Sequence, residues 1–200
     1  MASTAIDYER WHDGEGYDLD ALRELKGRDR QDAERWLLDR AGNDWRDLEG
    51  LMALGDPPAR FAVVRQLRDG SMEQRLAAAG YLNDDPSLAA DREAAVIAGL
   101  GSAVLFSGLT RALDLAVELR TPAILEALFR ATLRDEGEVA IHPAARIAFV
   151  YGKGKDEFDW DLRPLFLRFN TQDRGEREAA LRDLCALCGV DPEPYLRQGS

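Results

Sequence analysis

Between Asp44 and Tyr151 the chain strings together apolar-striped segments, each about one helix long, separated by breaks of only a few residues. No other feature constrains the fold as tightly. A short amphipathic helix cannot bury its stripe alone, and brief connections force neighbours to pack antiparallel. The breaks also repeat. In Leu54-Gly55-Asp56-Pro57 and again in Leu119-Arg120-Thr121-Pro122 one helix ends and a proline opens the next. Asp or Thr ahead of Pro suits a helix start, because the cap side chain accepts an orphan N–H and Pro has none to orphan. The second helix of each copy is expected to close on Leu67-Arg68-Asp69 and on Leu133-Arg134-Asp135. The third carries Arg75-Leu76-Ala77 and Arg146-Ile147-Ala148. The copies lie 65 residues apart at Leu48/Leu113 and 71 apart at Arg75/Arg146.

Taken in order, the periodicity predicts a helix over 19–26 capped by Asp18 or Asp20, then one over 29–41 with Ala33, Trp36 and Leu37 on one side. Asn43-Asp44 starts the next, carrying Leu48, Leu51 and Met52. Pro57 and Pro58 open a helix with Phe61, Val64 and Leu67 inward. Ser71 caps another, with Glu73 or Gln74 placed to complete a capping box. Helices over 88–100, 105–119, 122–134 and 142–151 follow, and a last long one runs from Thr171 or Asp173 to Gly189. Nowhere does a period of two persist beside β-branched residues, so no strand is expected. The expected architecture is all-α, with about 10 or 11 helices in antiparallel pairs within a single domain. It comprises an N-terminal cap region over 1–43, a repeat core over 44–151 and an aromatic segment with a capping helix over 152–200. In helix length and proline placement the core resembles the HEAT/armadillo-like α-solenoid class.

The formal charge of −11 is uneven: residues 1–50 hold 14 acids against 8 bases, and residues 51–200 hold 23 against 18. Such a surface repels phosphate backbones, which excludes non-specific nucleic-acid binding, and favours a basic protein partner. No apolar run reaches the roughly 18 residues a membrane span needs. The first residues lack the basic and apolar regions of a secretory signal, and two cysteines suit a reducing compartment. The expectation is a cytoplasmic protein.

Each motif with a chemical look has a plainer reading. Cys185-Ala186-Leu187-Cys188 spells C-x-x-C, but it sits at the end of a helix on the stripe of Leu181 and Leu184, where thiols behave as small hydrophobes. Zinc would need two further ligands, and the only histidines are His12 and His142. Asp13, Glu15, Asp18 and Asp20 fail the EF-hand pattern because Tyr17 takes a ligand position. Gly152-Lys153-Gly154-Lys155 lacks the spacing of a phosphate loop. His142, before Pro143, has no nucleophile near it, and Asp84/Asp85 and Asp159/Asp161 read as turn acids. No catalytic residue, cofactor or metal is expected.

What remains are two aromatic and charged stretches. Near the N-terminus, Trp11 and Tyr17 stand among Asp13, Glu15 and Asp18. Over 158–169, Leu162, Leu165, Phe166 and Phe169 would share a helical face, leaving Asp159, Trp160, Arg163 and Arg168 for recognition. The string F-D-W-x-x-R-P-x-F-L-R-F-N-T, followed by a helix bearing L-C, resembles a segment of bacterial HEAT-like proteins. Some of these are similar to immunity proteins that neutralise toxins delivered between competing bacteria. The resemblance implies binding to a toxin; the expected partner contacts, Trp11, Asp13, Glu15, Tyr17, Asp18, Asp159, Trp160, Arg163 and Arg168, rest on their own aromatic and charged character. A scaffold in a larger assembly and a carboxylate-dependent hydrolase on a helical frame are the competing expectations.

Overall fold

A computed structural model describes residues 16–102, 108–134 and 137–197. Trp11, Asp13 and Glu15, together with Leu105 and Asp135, lie outside the described residues. Among those described, all regular structure is helical, with twelve α-helices and two short 3-10 turns. No helix among them is long and apolar enough to cross a membrane. The chain divides into two compact units, Met1–Ala95 and Val96–Ser200.

The first unit holds α1 (Leu19–Glu24), α2 (Gly27–Arg40), α3 (Trp45–Leu54), α4 (Pro57–Asp69) and α5 (Met72–Tyr81), then a 3-10 turn at Pro86–Leu88 and the start of α6 (Ala89–Ser102). Local chemistry sets the starts. Asp18 accepts the Ala21 N–H at 2.9 Å, and Asp44 accepts that of Arg46 at 2.8 Å. Ser71 and Gln74 complete the capping box of α5, each side chain bonded to the other's backbone N–H. α3 packs against α1, α2, α4 and α5, and α4 packs against α5. Between them Leu48, Leu51, Val63, Leu67 and Leu76 are sealed from solvent. Full burial of such side chains is worth about 1.5–3 kcal/mol each.

The inward face of α4 differs from the expected one. Phe61 is 73% exposed and Val64 only half-buried, while Ala59, Ala62, Val63, Gln66 and Leu67 are buried. Those five lie at i, i+3, i+4, i+7 and i+8, a better helical stripe than the one centred on Phe61. Its small residues also let α4 approach both neighbours, and Phe61 falls on the far side.

The second unit holds the rest of α6, then α7 (Thr110–Leu119), α8 (Pro122–Ala131), a 3-10 turn at Gly137–Ala140, α9 (Ile141–Val150), α10 (Arg163–Leu167), α11 (Arg174–Cys188) and α12 (Glu193–Leu196). α9 packs against α7, α8, α10 and α11, and α12 lies on α8. Phe129 and Phe166 are buried here with Leu113, Leu128, Ile147, Leu181 and Leu184. Phe129 stacks on Tyr195 at 4.4 Å between ring centroids. α8 stops at Ala131, short of Leu133-Arg134. Thr132 turns back, its hydroxyl donating to the Phe129 carbonyl at 2.7 Å, and the next N–H groups bond three residues behind. Arg134 then donates to the Leu100 carbonyl at 2.8 Å.

Both units therefore contain a triplet of consecutive helices that all touch one another, α3–α4–α5 and α7–α8–α9. The junctions match. Gly55 and Arg120, 65 residues apart, both sit in the left-handed region at φ +72° and +49° and close α3 and α7. The extra residues of the second copy fall in the connection between α8 and α9.

Candidate functional site

In the first unit Tyr17 becomes the centre of a cluster. Its hydroxyl donates to Asp47 Oδ1 at 2.6 Å, and its ring meets Trp36 edge-on at 5.9 Å. Arg40, one helical turn beyond Trp36, stacks on the indole at 4.7 Å and reaches the same Asp47 oxygen at 3.5 Å. Asp47 is fully buried. Burial, and then the neighbouring Asp47, push the Tyr17 phenol well above its ordinary pKa, so it stays a donor and is no nucleophile. Gly50 makes room for this arrangement: a Cβ there would stand 3.1 Å from Leu37 and 3.2 Å from Tyr17. Asp18, expected to face a partner, is the cap of α1.

The sequence reading did not find Trp36, Arg40 and Asp47 as a group. Trp36 and Arg40 are four apart on a helix, which could have suggested the stack. Tyr17 and Asp47 are separated by 30 residues, and no local signal joins them.

In the second unit a tight loop presents the aromatic segment. Asp159 is only 5% exposed and is withdrawn from the surface on which it was expected. Its two carboxylate oxygens accept the backbone N–H groups of Lys155 and Asp161, both at 2.8 Å. Those two bonds hold its carboxyl below the usual range and keep it charged. The Asp156 carboxylate accepts the Phe158 N–H at 2.8 Å, which tightens the loop further. The acid that looked like a contact residue is the organiser of the loop.

That loop displays Trp160 at 70% exposure. The Arg163 guanidinium lies 4.4 Å from the centre of its ring. Trp160, Pro164 and Leu167 are exposed and Arg163 is half-buried, while Phe166 and Phe169 are buried. Of the expected inward set, Phe166 and Phe169 are buried while Leu162 and Leu165 are only half-buried, and regular helix begins only at Arg163. Arg168 is exposed and ion-paired with Asp183.

The remaining chemical candidates are occupied by the fold. Arg60 bridges Asp84 at 3.2 Å and Asp85 at 3.1 Å, and Asp85 caps the turn through Ser87. Asp161 pairs with Lys155. His142 lies near Phe158, their ring centroids 6.3 Å apart. Cys185 and Cys188 are buried free thiols, raised by burial to about 12 and about 11, and so protonated at neutral pH. Among the described residues no group of three or more His, Cys, Asp and Glu is arranged to hold a metal ion.

The chain was compared with known protein families, with curated proteins and with solved structures, and none of them matches it.

Proposed function

We propose that this protein is a non-catalytic helical-repeat protein of HEAT-like type. In this reading it acts in the cytoplasm as an immunity protein that binds and neutralises one basic toxin. The observation that supports this most is the distribution of charge. Residues of Met1–Ala95 include 21 acids against 13 bases, and those of Val96–Ser200 include 16 against 13. An acidic unit of this kind raises the encounter rate with a basic protein and loses that advantage in salt. Rigid aromatics stacked by arginines, as at Trp36 and Trp160, supply the anchoring contacts such interfaces use. Tyr17, Asp18, Trp160, Arg163 and Arg168 belong to this reading as contact residues.

The test is capture from native lysate at low and at high salt, followed by co-expression. The expected partner is a basic protein, stoichiometric at low salt and depleted at high salt, whose toxicity to a host is relieved by this chain. Recovery of no stoichiometric protein at either salt overturns the reading. So does a recovered partner that is toxic and stays toxic on co-expression.

A further inference from the structure

Three Trp–Arg stacks are found among the described residues, and two of them are electrostatically closed. Arg40 over Trp36 reaches Asp47 at 3.5 Å, and Arg46 over Trp45 reaches Asp44 at 3.3 Å. Arg163 over Trp160 differs: no carboxylate among the described residues comes within ion-pairing distance of it. The Arg163 Nε–H is buried without a hydrogen-bond acceptor, a feature it shares with the Arg75 Nε–H, so the missing carboxylate is what sets this stack apart. Asp161 instead pairs with Lys155, and Asp183 with Arg168. Trp160, Pro164 and Leu167, within four residues of Arg163 in the chain, are all exposed, Leu167 at 44%.

From this arrangement we infer that the Trp160–Arg163–Leu167 stretch captures a protein segment bearing a carboxylate next to an apolar side chain. It rests on the protein-binding reading above, which already counts Trp160 and Arg163 as contacts, and assigns to this part of the contact surface a carboxylate-bearing segment of the partner. The carboxylate supplies to Arg163 what Asp47 and Asp44 supply to Arg40 and Arg46, in the paired geometry a guanidinium fork favours. The adjacent apolar side chain covers Trp160 and Leu167. The stack on Trp160 holds the guanidinium in place before binding, which lowers the ordering cost of association. A single carboxylate is the fitting anion here. The surplus of acids in Val96–Ser200 opposes a polyphosphate backbone.

The experiment uses the full chain and two synthetic peptides, acetyl-Gly-Glu-Phe-Gly-amide and acetyl-Gly-Lys-Phe-Gly-amide. Binding is followed through the Trp160 indole and Arg163 side-chain NMR signals. The acidic peptide is expected to shift both signals saturably in the millimolar range, and the lysine peptide to bind about tenfold more weakly or not at all. Arg163→Gln and Trp160→Ala are each expected to weaken the acidic peptide by about tenfold, the usual cost of losing an interface anchor. Thermal unfolding, unchanged in both variants, shows that they fold. Equal binding of the two peptides overturns the inference, as does the absence of any shift at these signals. A response to phosphatidylglycerol vesicles without one to the acidic peptide overturns it as well. If the peptide fails while a basic partner is still captured, this inference alone falls. If the peptide binds and no partner is captured, the reading of the preceding subsection falls instead.

Discussion

The two helix triplets pass from their first helix to their second through the same backbone path, built from different residues. In the first, Gly55 takes the left-handed position, Asp56 the cap and Pro57 the first turn; in the second, Arg120, Thr121 and Pro122 do. The closing bonds match as well. The Gly55 N–H donates to the Leu51 carbonyl at 3.1 Å, and the Arg120 N–H to that of Ala116, also at 3.1 Å. Yet the caps diverge. Thr121 accepts the Ile124 N–H at 3.3 Å, as a cap should, whereas Asp56 makes no cap bond. Its carboxylate is drawn to Arg30, at 3.0 Å from Nη2. Arg30 offers this oxygen two donors of a full cation, Nε at 3.2 Å and Nη2 at 3.0 Å, against the single donor of a neutral backbone amide, so the arginine takes it. A helix start tolerates this because proline removes one of the orphan donors. The comparison teaches that the junction fixes the path of the chain, while the facing surfaces are decided elsewhere.

The middle helices offer the hardest test of that statement. Phe129 on α8 is fully buried against Tyr195 and Tyr151, and Phe61 on α4 is 73% exposed. Phe129→Ala is expected to cost about 3–5 kcal/mol in denaturant unfolding, and Phe61→Ala less than about 0.5 kcal/mol. A loss above 2 kcal/mol at Phe61, on the order of a core deletion, would mean that α4 buries the other face after all.

The caps give a smaller contrast. Thr121→Ala should cost about 1 kcal/mol, the usual loss for a working cap. Asp56→Ala should cost no more than about 1 kcal/mol, since the Arg30 pair is partly exposed. The two origins separate in a double-mutant cycle. The cost of Asp56→Ala should change when Arg30 is already Ala, and that of Thr121→Ala should not. If the Asp56 cost is the same in both backgrounds, the ion pair contributes nothing and the divergence of the caps is only geometric.

The starts of helices were legible from the sequence because they depend on side chains reaching backbone groups two or three residues away. Asp18, Asp44, Ser71 with Gln74, Thr121 and Asp173 all cap where their spacing says they should. Faces were less legible. Phe61 is large and apolar, but the stripe of Ala59, Ala62 and Val63 fits between two neighbours and the ring does not. The candidate site divides in the same way. The burial of Phe166 and Phe169 could be read from a helical period. The burial of Asp159 could not, because it depends on the loop folding back to bring the Lys155 and Asp161 amides onto one carboxylate. The tie between Tyr17 and Asp47 spans 30 residues and is a product of packing alone.

The left-handed junction itself yields the smallest effect and the finest discrimination. A residue with a Cβ loses about 1 kcal/mol in that conformation, which glycine avoids. Gly55→Ala meets no steric obstacle, since the nearest atom to an added Cβ is the Met52 carbonyl oxygen at 3.8 Å. Its cost should therefore be backbone strain alone, about 1 kcal/mol, less a few tenths recovered from the stiffer unfolded chain. Arg120 already bears that strain, and its Nε–H donates to the Val117 carbonyl at the end of α7. Arg120→Gly relieves the strain but gives up that bond and loosens the unfolded chain, so its net change should stay within about 0.5 kcal/mol of zero. If Arg120→Gly destabilises by more than about 1 kcal/mol while Gly55→Ala is neutral, the side-chain bond rather than the backbone governs the second junction. The two copies would then share a path without sharing its cause.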